Sequence, residues 1–323
     1  MFAKNGQKKG SSCIKITVCS LGDQSPFFYK CISKCIDKHC LNYDGLEFRM
    51  KYPRPFYLDL LRWTCGDDCN YECMWQTVNG FEERGYRIPQ FFGKWPFIRF
   101  LGMQEPASTI FSLVNLYAHV RMMIRMQTEL RPDTPLKWLW LGYGVVSCHA
   151  WIWSAIFHSR DLPFTEMMDY SCAYSIVLTS CYTMLMRILR KFWKLNLVIT
   201  FLFLTFFLDH VRYIMQGGFD YSYNMKVNVA TGLLTVICWL LWSFWNCRKL
   251  QYVWKIRAYV ILVALTTSLE LWDLPPLFWT FDCHAIWHLS TAPLHVLFYS
   301  FIIDDCKYLR NEDMKYEKFQ EIE

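Results

Sequence analysis

The sequence predicts an all-α membrane protein, in which a seven-transmembrane-helix bundle follows a small disulfide-rich lumenal N-terminal domain. Hydrophobic residues make up 54% of the 323 residues and charged residues only 19%, against about 25% charged residues in an ordinary soluble domain. Several apolar runs reach about 20 residues, the length that crosses a bilayer. The net charge is only +6 and no basic stripe is present, so we expect no nucleic-acid partner.

The chain begins with a leader, residues 1–24, and continues with a cysteine-rich domain, residues 25–97. A lumenal domain needs a signal that carries it out of the cytosol. Lys15 interrupts the apolar run of the leader, which makes this run a poor signal-peptide core. Either the first membrane helix carries the domain across the membrane, or the natural N-terminus differs from this one, and we expect the second.

Six cysteines of the N-terminal domain form two clusters with the spacings C-x3-C-x4-C and C-x3-C-x3-C. They are Cys31, Cys35, Cys40, Cys65, Cys69 and Cys73. Small cysteine-dense domains are usually cross-linked in an oxidising compartment, whereas structural zinc sites, the alternative, favour C-x2-C pairs and often include histidine. We therefore predict three disulfides, and the sequence leaves their pairing open.

From residue 98 to residue 304 the chain alternates apolar segments with short polar links, which predicts a membrane domain. The seven expected spans are, in approximate bounds, 98–120, 136–158, 168–189, 193–214, 227–246, 254–274 and 283–303. Residues 305–323 are expected to form a cytosolic tail.

The basic residues of the links set the expected orientation, because cytosolic links are enriched in lysine and arginine. The first, third and fifth links each carry four basic residues, whereas the other three links contain only Arg160, Arg212 and Lys226. The odd links are therefore cytosolic. This orientation places the cysteine-rich domain in the lumen, in agreement with the predicted disulfides, and the C-terminus in the cytosol.

Ionisable side chains within membrane spans are costly and indicate functional sites. Ser154 and His158 lie four residues apart at the end of the second span, and His284 and His288 have the same spacing at the start of the seventh. Asp169 lies near the start of the third span. The predicted orientation brings the lumenal ends of these three helices to one depth.

Three neutral imidazoles with one open position are typical of a catalytic zinc site, so His158, His284 and His288 are the predicted Zn²⁺ ligands. The alternative is that each imidazole satisfies a backbone carbonyl at a helix end. His295 lies seven residues beyond His288, about 10 Å along the helix axis, which is too far to share the ion. Carboxylates expected to orient the ligand imidazoles are Glu270, Asp273 and Asp282. The histidines expected in packing or surface roles are His39, His119, His149 and His210.

The pattern of Ser154-x3-His158, Asp169 and His284-x3-His288 resembles the signature of the CREST superfamily of seven-helix membrane hydrolases. More specific runs elsewhere resemble the post-GPI-attachment-to-proteins factor 3 family. These runs are DDCNYECMW (67–75), PQFFGKWPF (89–97), QEPAS (104–108), FDYSYN (219–224) and LPPLFWTFDCHAIWHLSTAPLH (274–295). The leader departs from this family, whose members begin with a cleaved signal peptide.

The resemblance covers the chain from about residue 19 to residue 310 and implies a GPI-specific phospholipase A2-like enzyme. Such an enzyme hydrolyses the sn-2 acyl ester of GPI-anchored proteins, its lipid-linked substrates, during fatty-acid remodelling in the Golgi membrane or, alternatively, the endoplasmic reticulum membrane. By the superfamily pattern, the three histidines hold zinc, Asp169 acts on the metal-activated water, and Ser154 holds the reacting oxygen.

Three other functions remain open at the level of the sequence. The superfamily includes seven-helix receptors, in which a metal ion is structural, and ceramidases, which hydrolyse an amide instead of an ester. A lumenal cargo or chaperone factor would instead act through the disulfide-rich domain.

Overall fold

The computed structural model describes residues 20–40, 55–216 and 221–320. Besides helices, these residues form only isolated β-bridges, so the all-α prediction is confirmed for them. The helices are α1 (Pro26–His39), α2 (Phe56–Leu60), α3 (Cys65–Glu82), α4 (Pro106–Glu129), α5 (Lys137–Ser159), α6 (Pro163–Ile188), α7 (Trp193–Gln216), α8 (Tyr221–Asn246), α9 (Val253–Thr267) with a 3₁₀ turn at Ser268–Leu271, and α10 (Cys283–Gln320). The predictions made for residues 1–19 of the leader lie outside the described residues.

The described residues form two compact units. The first contains residues 20–40 and 62–96, and the second contains residues 55–61 together with everything described from residue 97 onward. The short helix α2 therefore belongs to the second unit, although its residues were predicted to lie within the cysteine-rich domain, residues 25–97.

Three disulfides join α1 to α3 in the first unit. They connect Cys31 with Cys73, Cys35 with Cys69, and Cys40 with Cys65. A spacing of four residues places cysteines on one face of a helix, and the nested order of the bonds is the one that two antiparallel helices allow. The predicted disulfides are confirmed, and the fold selects one pairing among those the sequence left open.

Hydrogen bonds tie the segment before α1 to the residues that close the first unit. Asp23 Oδ1 accepts from the backbone N–H of Phe92 at 2.8 Å, and the N–H of Gly22 donates to the carbonyl of Gln90 at 2.9 Å. A Cβ on Gly22 would lie 2.5 Å from that carbonyl oxygen, so only glycine permits this approach. Residues 20–24, expected in the leader, are thus part of the folded unit.

The helices α4 to α10 of the second unit pack side by side. In the order α4, α5, α6, α8, α9, α10 each helix contacts the next, and α10 returns to α4, while α7 packs on α6. The largest departures from the predicted spans are in α4 and at the end of α10. Helix α4 runs over Pro106–Glu129 instead of 98–120, and it begins at Pro106 because proline suits the first turn of a helix. Helix α10 continues to Gln320 instead of ending near residue 303.

Three helices within the described residues are long and apolar enough to cross a membrane, by length and composition: Trp193–Met215, Ser222–Asn246 and Cys283–Tyr316. The helix α9 has only 15 residues. Polar side chains such as Ser112 and Asn115 make α4 less apolar, and they are fully buried. The arrangement of seven spans stays a prediction.

An ion pair is buried at the end of the bundle that carries the basic links. Arg187 on α6 binds Asp305 on α10 through two nitrogen–oxygen contacts of 2.5 and 2.8 Å, and the Tyr252 hydroxyl donates to the same carboxylate at 2.9 Å. Asp305 is completely buried. The apolar core surrounds this pair, with Trp239, Ile256 and Phe301 among its buried members. The pair therefore joins α6, α9 and α10 inside the core.

Replacing Asp305 by alanine is expected to lower the free energy of unfolding by about 3–5 kcal/mol, because a buried arginine is left without a counter-charge. The neighbouring Asp304 supplies a matched control, since it pairs with Lys255 at 2.6 Å in a partly exposed position. Asp304→Ala is expected to cost at most about 1 kcal/mol. Chemical unfolding in mixed micelles measures both, and equal losses in the two variants would contradict the assignment.

Candidate metal centre

Three imidazoles meet at the end of the bundle opposite the buried ion pair. His158 lies in the last turn of α5, and His284 and His288 lie in the first two turns of α10. The Nε2 atom of His284 is 3.3 Å from that of His158 and 2.8 Å from that of His288. His158 and His288 are almost completely buried, whereas 30% of the His284 side chain is exposed. The three predicted ligands therefore converge at a site that is open on one side.

Each of the three rings is held through its other nitrogen. His158 Nδ1 lies 2.6 Å from Glu105 Oε2, and His284 Nδ1 contacts Glu270 Oε2. Carboxylates accept hydrogen bonds, so both Nδ1 atoms carry the proton. In neutral rings this leaves both Nε2 atoms with a free lone pair.

A serine holds the third ring in the same way. Ser112 Oγ donates to the carbonyl of Ser108 at 2.7 Å and lies 3.0 Å from His288 Nδ1. Because a hydroxyl has one proton, Ser112 must accept from His288 Nδ1. The Nε2 lone pair of His288 therefore also faces the other two rings.

This donor set fits a zinc ion. Three lone pairs at these distances repel one another, and a bound cation removes the repulsion. The nitrogen and oxygen atoms of a tetrahedral zinc site with bonds of about 2.0–2.1 Å lie about 3.3–3.4 Å apart. The spacing between the Nε2 atoms of His158 and His284 matches this value. The spacing between those of His284 and His288, 2.8 Å, is shorter by about half an ångström. The ligand atoms all lie within 4.8 Å of one another.

Backbone contacts place the ligand-bearing turns. The N–H of Glu105 donates to the carbonyl of His158 at 2.9 Å, which satisfies one of the unpaired carbonyls at the end of α5. Asn115 on α4 donates to the carbonyl of His288 at 2.7 Å. Asp282 accepts from the N–H of Ala285 at 2.8 Å and so caps the first turn of α10. Burial raises the pKa of the Asp282 carboxyl above its usual range.

The remaining predicted residues differ in their relation to the centre. The Ser154 hydroxyl is 3.1 Å from Ser112 Oγ, and by the same proton count it donates to Ser112. Asp169 is partly buried in the second turn of α6, and Asp273 is exposed in the link before α10. The catalytic roles of Ser154 and Asp169 stay predictions.

Two residues that hold the ligand rings were missed by the sequence analysis, namely Glu105 and Ser112. Glu105 is part of the run QEPAS, which served there only as a family motif. The signal available was a carboxylate just before the proline that starts α4, at the same end of the bundle as the histidines. Ser112 offered no signal, because small hydroxyl residues are common in packed membrane helices.

Comparison with known proteins places the chain in a family. Residues 55–306 match the Per1-like family. The chain belongs to the Per1-like family. It is 46% identical over 291 residues to "Post-GPI attachment to proteins factor 3" of Drosophila melanogaster, and the aligned region covers 88% of this chain and 89% of the relative. It is 43% identical over 294 residues to "GPI-specific phospholipase A2-like PGAP3" of Homo sapiens, with 91% of each chain covered.

The resemblance to the post-GPI-attachment-to-proteins factor 3 family, drawn from the sequence motifs, is thus confirmed. A further relative, "GPI-specific phospholipase A2-like PGAP3" of Danio rerio, is 42% identical over 296 residues, with 91% of this chain and 93% of the relative covered. No solved structure matches the chain.

Two other histidines of this Per1-like chain form a buried pair deeper in the bundle. The ring centres of His119 on α4 and His295 on α10 lie 4.1 Å apart. His119 Nδ1 is 3.1 Å from the hydroxyl of Tyr299. Among the described residues, no partner is found for His119 Nε2 or for either nitrogen of His295. No sequence pattern links these two residues, and the fold brings them into contact.

His295→Phe is expected to leave the free energy of unfolding unchanged or to raise it by up to about 1–3 kcal/mol, because it removes unpaired buried nitrogens while keeping a flat ring. His119→Phe is expected to lower it by about 1–3 kcal/mol, since the buried hydroxyl of Tyr299 loses its partner. Unfolding in mixed micelles compares the two variants directly. A marked loss of stability in His295→Phe would show that its nitrogens are satisfied after all.

Proposed function

We propose that this Per1-like protein is a zinc-dependent lipid hydrolase that acts in GPI-anchor remodelling. Its reaction is the phospholipase A2-type hydrolysis of the sn-2 acyl ester of GPI-anchored proteins. The observation that carries the proposal is the convergence of three imidazole lone pairs at an open site in a helical bundle. The names of the relatives, "GPI-specific phospholipase A2-like", supply the substrate class.

The histidines His158, His284 and His288 would hold the zinc ion. When bound, zinc lowers the pKa of a coordinated water and polarises a carbonyl oxygen. Glu105, Glu270 and Ser112 fix the tautomers of the three rings and hold their Nε2 atoms toward one point. Such partners typically account for about 10–100-fold in metal affinity. Of the other two predicted carboxylates, Asp282 caps α10, and a role of Asp273 in orienting the rings stays a prediction.

Asp169 is proposed as the general base that accepts a proton from the attacking water. Ser154 is proposed to donate a hydrogen bond to the oxyanion that develops at the ester carbonyl. Its hydroxyl points to Ser112 in this structure, so the second role requires a rotation of the Ser154 side chain. A role of Ser154 in holding Ser112, and through it His288, competes with the oxyanion role.

The protein is proposed to reside in the Golgi membrane, or alternatively in the endoplasmic reticulum membrane, with its N-terminal domain lumenal and its C-terminus cytosolic. The basic residues of the alternate links and the three disulfides of the first unit both support this orientation. The decisive cellular test is mass spectrometry of anchor lipids from cells that lack the protein. We expect the anchor lipids of these cells to keep their original sn-2 chains, and we expect the wild-type gene to restore remodelling. An accumulation of ceramide instead would favour an amidohydrolase.

Each of the variants His158→Ala, His284→Ala and His288→Ala is expected to abolish zinc binding, because three protein ligands leave no redundancy. His295→Ala is the matched control and is expected to retain zinc. Glu105→Gln is expected to weaken the affinity by about 10–100-fold. Elemental analysis and competition with a chelator measure these effects, and full zinc occupancy in His284→Ala would exclude the site.

Asp169→Asn is expected to keep zinc but to lose about 10²–10⁴-fold in turnover, because an amide cannot accept the proton. Ser154→Ala is expected to lose about 10²–10³-fold if its hydroxyl stabilises the oxyanion. Glu166→Gln, on the same helix as Asp169, is the control and is expected to retain activity. Lipid hydrolysis by the purified variants, measured with their zinc content, provides the test.

The same series separates the two roles of Ser154. Equal losses of zinc affinity in Ser112→Ala and Ser154→Ala would show that Ser154 acts through Ser112 and His288. An acyl group trapped on the Ser154 peptide during turnover would instead identify a nucleophile and would contradict the water mechanism.

A further inference from the structure

Exposed apolar side chains lie on two loops that adjoin the segments carrying the candidate metal centre. The loops are residues 97–103 and 272–281, and we call these side chains the apolar lip. The lip consists of Phe100, Leu101, Trp272, Leu274, Leu277 and Phe278, each more than half exposed. Phe278 is 85% exposed, the highest value in the lip. Each loop contains a single charged residue, Arg99 or Asp273, so neither has the composition of an ordinary solvated loop.

The second loop is a tight hairpin that holds Phe278 outward. Leu277 and Phe281 pair across it through a backbone bond of 2.8 Å. Phe278 and Trp279 at its tip have φ values of 53° and 56°. Bulky residues adopt this left-handed conformation at a cost in free energy, and glycine or asparagine is usual there. The hairpin thus keeps two large aromatic residues where stability alone favours small ones.

The lip is continuous with the candidate metal centre. The N–H of Ile98 donates to the carbonyl of Trp279 at 2.9 Å, which joins the two loops. The ring of Phe281 stacks on the ring of Phe111, with 6.2 Å between the ring centres. Phe111 immediately precedes Ser112, which holds the ring of His288. A chain of direct contacts therefore leads from the hairpin to a ligand of the centre.

The lip is also continuous with the membrane-spanning part of the chain. The candidate span Cys283–Tyr316 begins two residues after Phe281. Helix α2 extends the apolar surface from the other side, because a Cβ on Gly102 would lie 3.1 Å from side-chain atoms of Tyr57 and Leu61. On the same helix, Phe56 and Leu60 are exposed and lie four residues apart, hence on one face.

We propose that the apolar lip inserts into the headgroup–acyl boundary of the leaflet at the histidine end of the bundle, and that the acyl chain of the lipid substrate crosses it to reach His284. Tryptophan is enriched at this boundary, and phenylalanine and leucine are typical of surfaces that bury their apolar side chains in it. The occupant is membrane lipid instead of a protein partner, because the surface continues directly into a membrane span. Insertion of the lip does not depend on the proposed function, whereas its role in substrate access rests on that function.

Photo-crosslinking tests insertion without any need for activity. A photoreactive phenylalanine analogue replaces Phe278 in the full-length protein, reconstituted in phosphatidylcholine vesicles. Phe201 in the span of α7 is the positive control. Tyr29 on α1 is exposed to a similar degree, lies outside the three candidate spans of the described residues and is the negative control. The yield of lipid adducts at Phe278 is expected to equal that at Phe201 and to exceed that at Tyr29. Adducts only with protein, or a yield no higher than at Tyr29, would overturn the proposal.

A kinetic experiment tests the role in substrate access. Phe278→Ser is expected to raise the KM for vesicle-borne lipid by about tenfold or more, from the loss of one buried aromatic side chain. Its kcat and its hydrolysis of a monomeric short-chain phospholipid are expected to remain unchanged. Trp245→Ser, at a similarly exposed position on α8, is the control. It is expected to leave the KM for vesicle-borne lipid, the kcat and the hydrolysis of the monomeric phospholipid unchanged.

The thermal stability of the same variants separates insertion from a structural role. Phe278→Gly is expected to raise the melting temperature in detergent, because it relieves the left-handed backbone, and to raise the KM for vesicle lipid as Phe278→Ser does. An unchanged KM in both variants would overturn the role in access. Absence of any hydrolysis by the wild-type protein would refute the proposed function, while the crosslinking experiment would still decide whether the lip inserts.

Discussion

The Nε2 atoms of His158, His284 and His288 approach one another to 2.8 and 3.3 Å, and the surrounding helices are arranged around this approach. Nitrogen lone pairs that face one another at these distances repel, so the rings stay in place only if each is anchored from its opposite nitrogen. Glu105 and Ser112 provide two of these anchors from the start and the second turn of α4. The positions of α4, α5 and α10 are therefore coupled, because a shift of any one of them breaks an anchor or moves a ligand.

Helix α10 carries this coupling through the length of the bundle. Its first turns hold two ligand histidines, and Asp305, about five turns further on, enters the buried ion pair with Arg187. The two ends differ in character. One is an apolar core closed around a compensated charge pair, and the other is polar, partly open and held by hydrogen bonds. This division is physically reasonable, since the closed end can supply stability while the open end keeps donor atoms that favour a cation.

The first unit is stabilised by a different means. Two helices, α1 and α3, cannot bury a large apolar core, and three disulfides join them along one face. Such cross-links stabilise a small domain chiefly by restricting the unfolded chain. The capping box between Thr64 and Asp67 adds a defined start to the second of these helices. Together these features allow a short segment to fold with few buried apolar residues.

The basic residues of the links predicted that His158 lies at the same depth as His284 and His288, because they set the orientation of the helices. The sequence by itself also determined the helical class, the cysteines that form disulfides and the residues that share a helix face, because these follow from local composition and spacing. A repeat of three to four residues fixes which side chains share a face, whatever the rest of the chain does. Only the tertiary structure decided how the cysteines pair, that α2 belongs with the bundle, and that Glu105 and Ser112 hold the ligand rings. These features depend on which helix faces which, and that choice is made by packing between segments far apart in the chain, which no local pattern records.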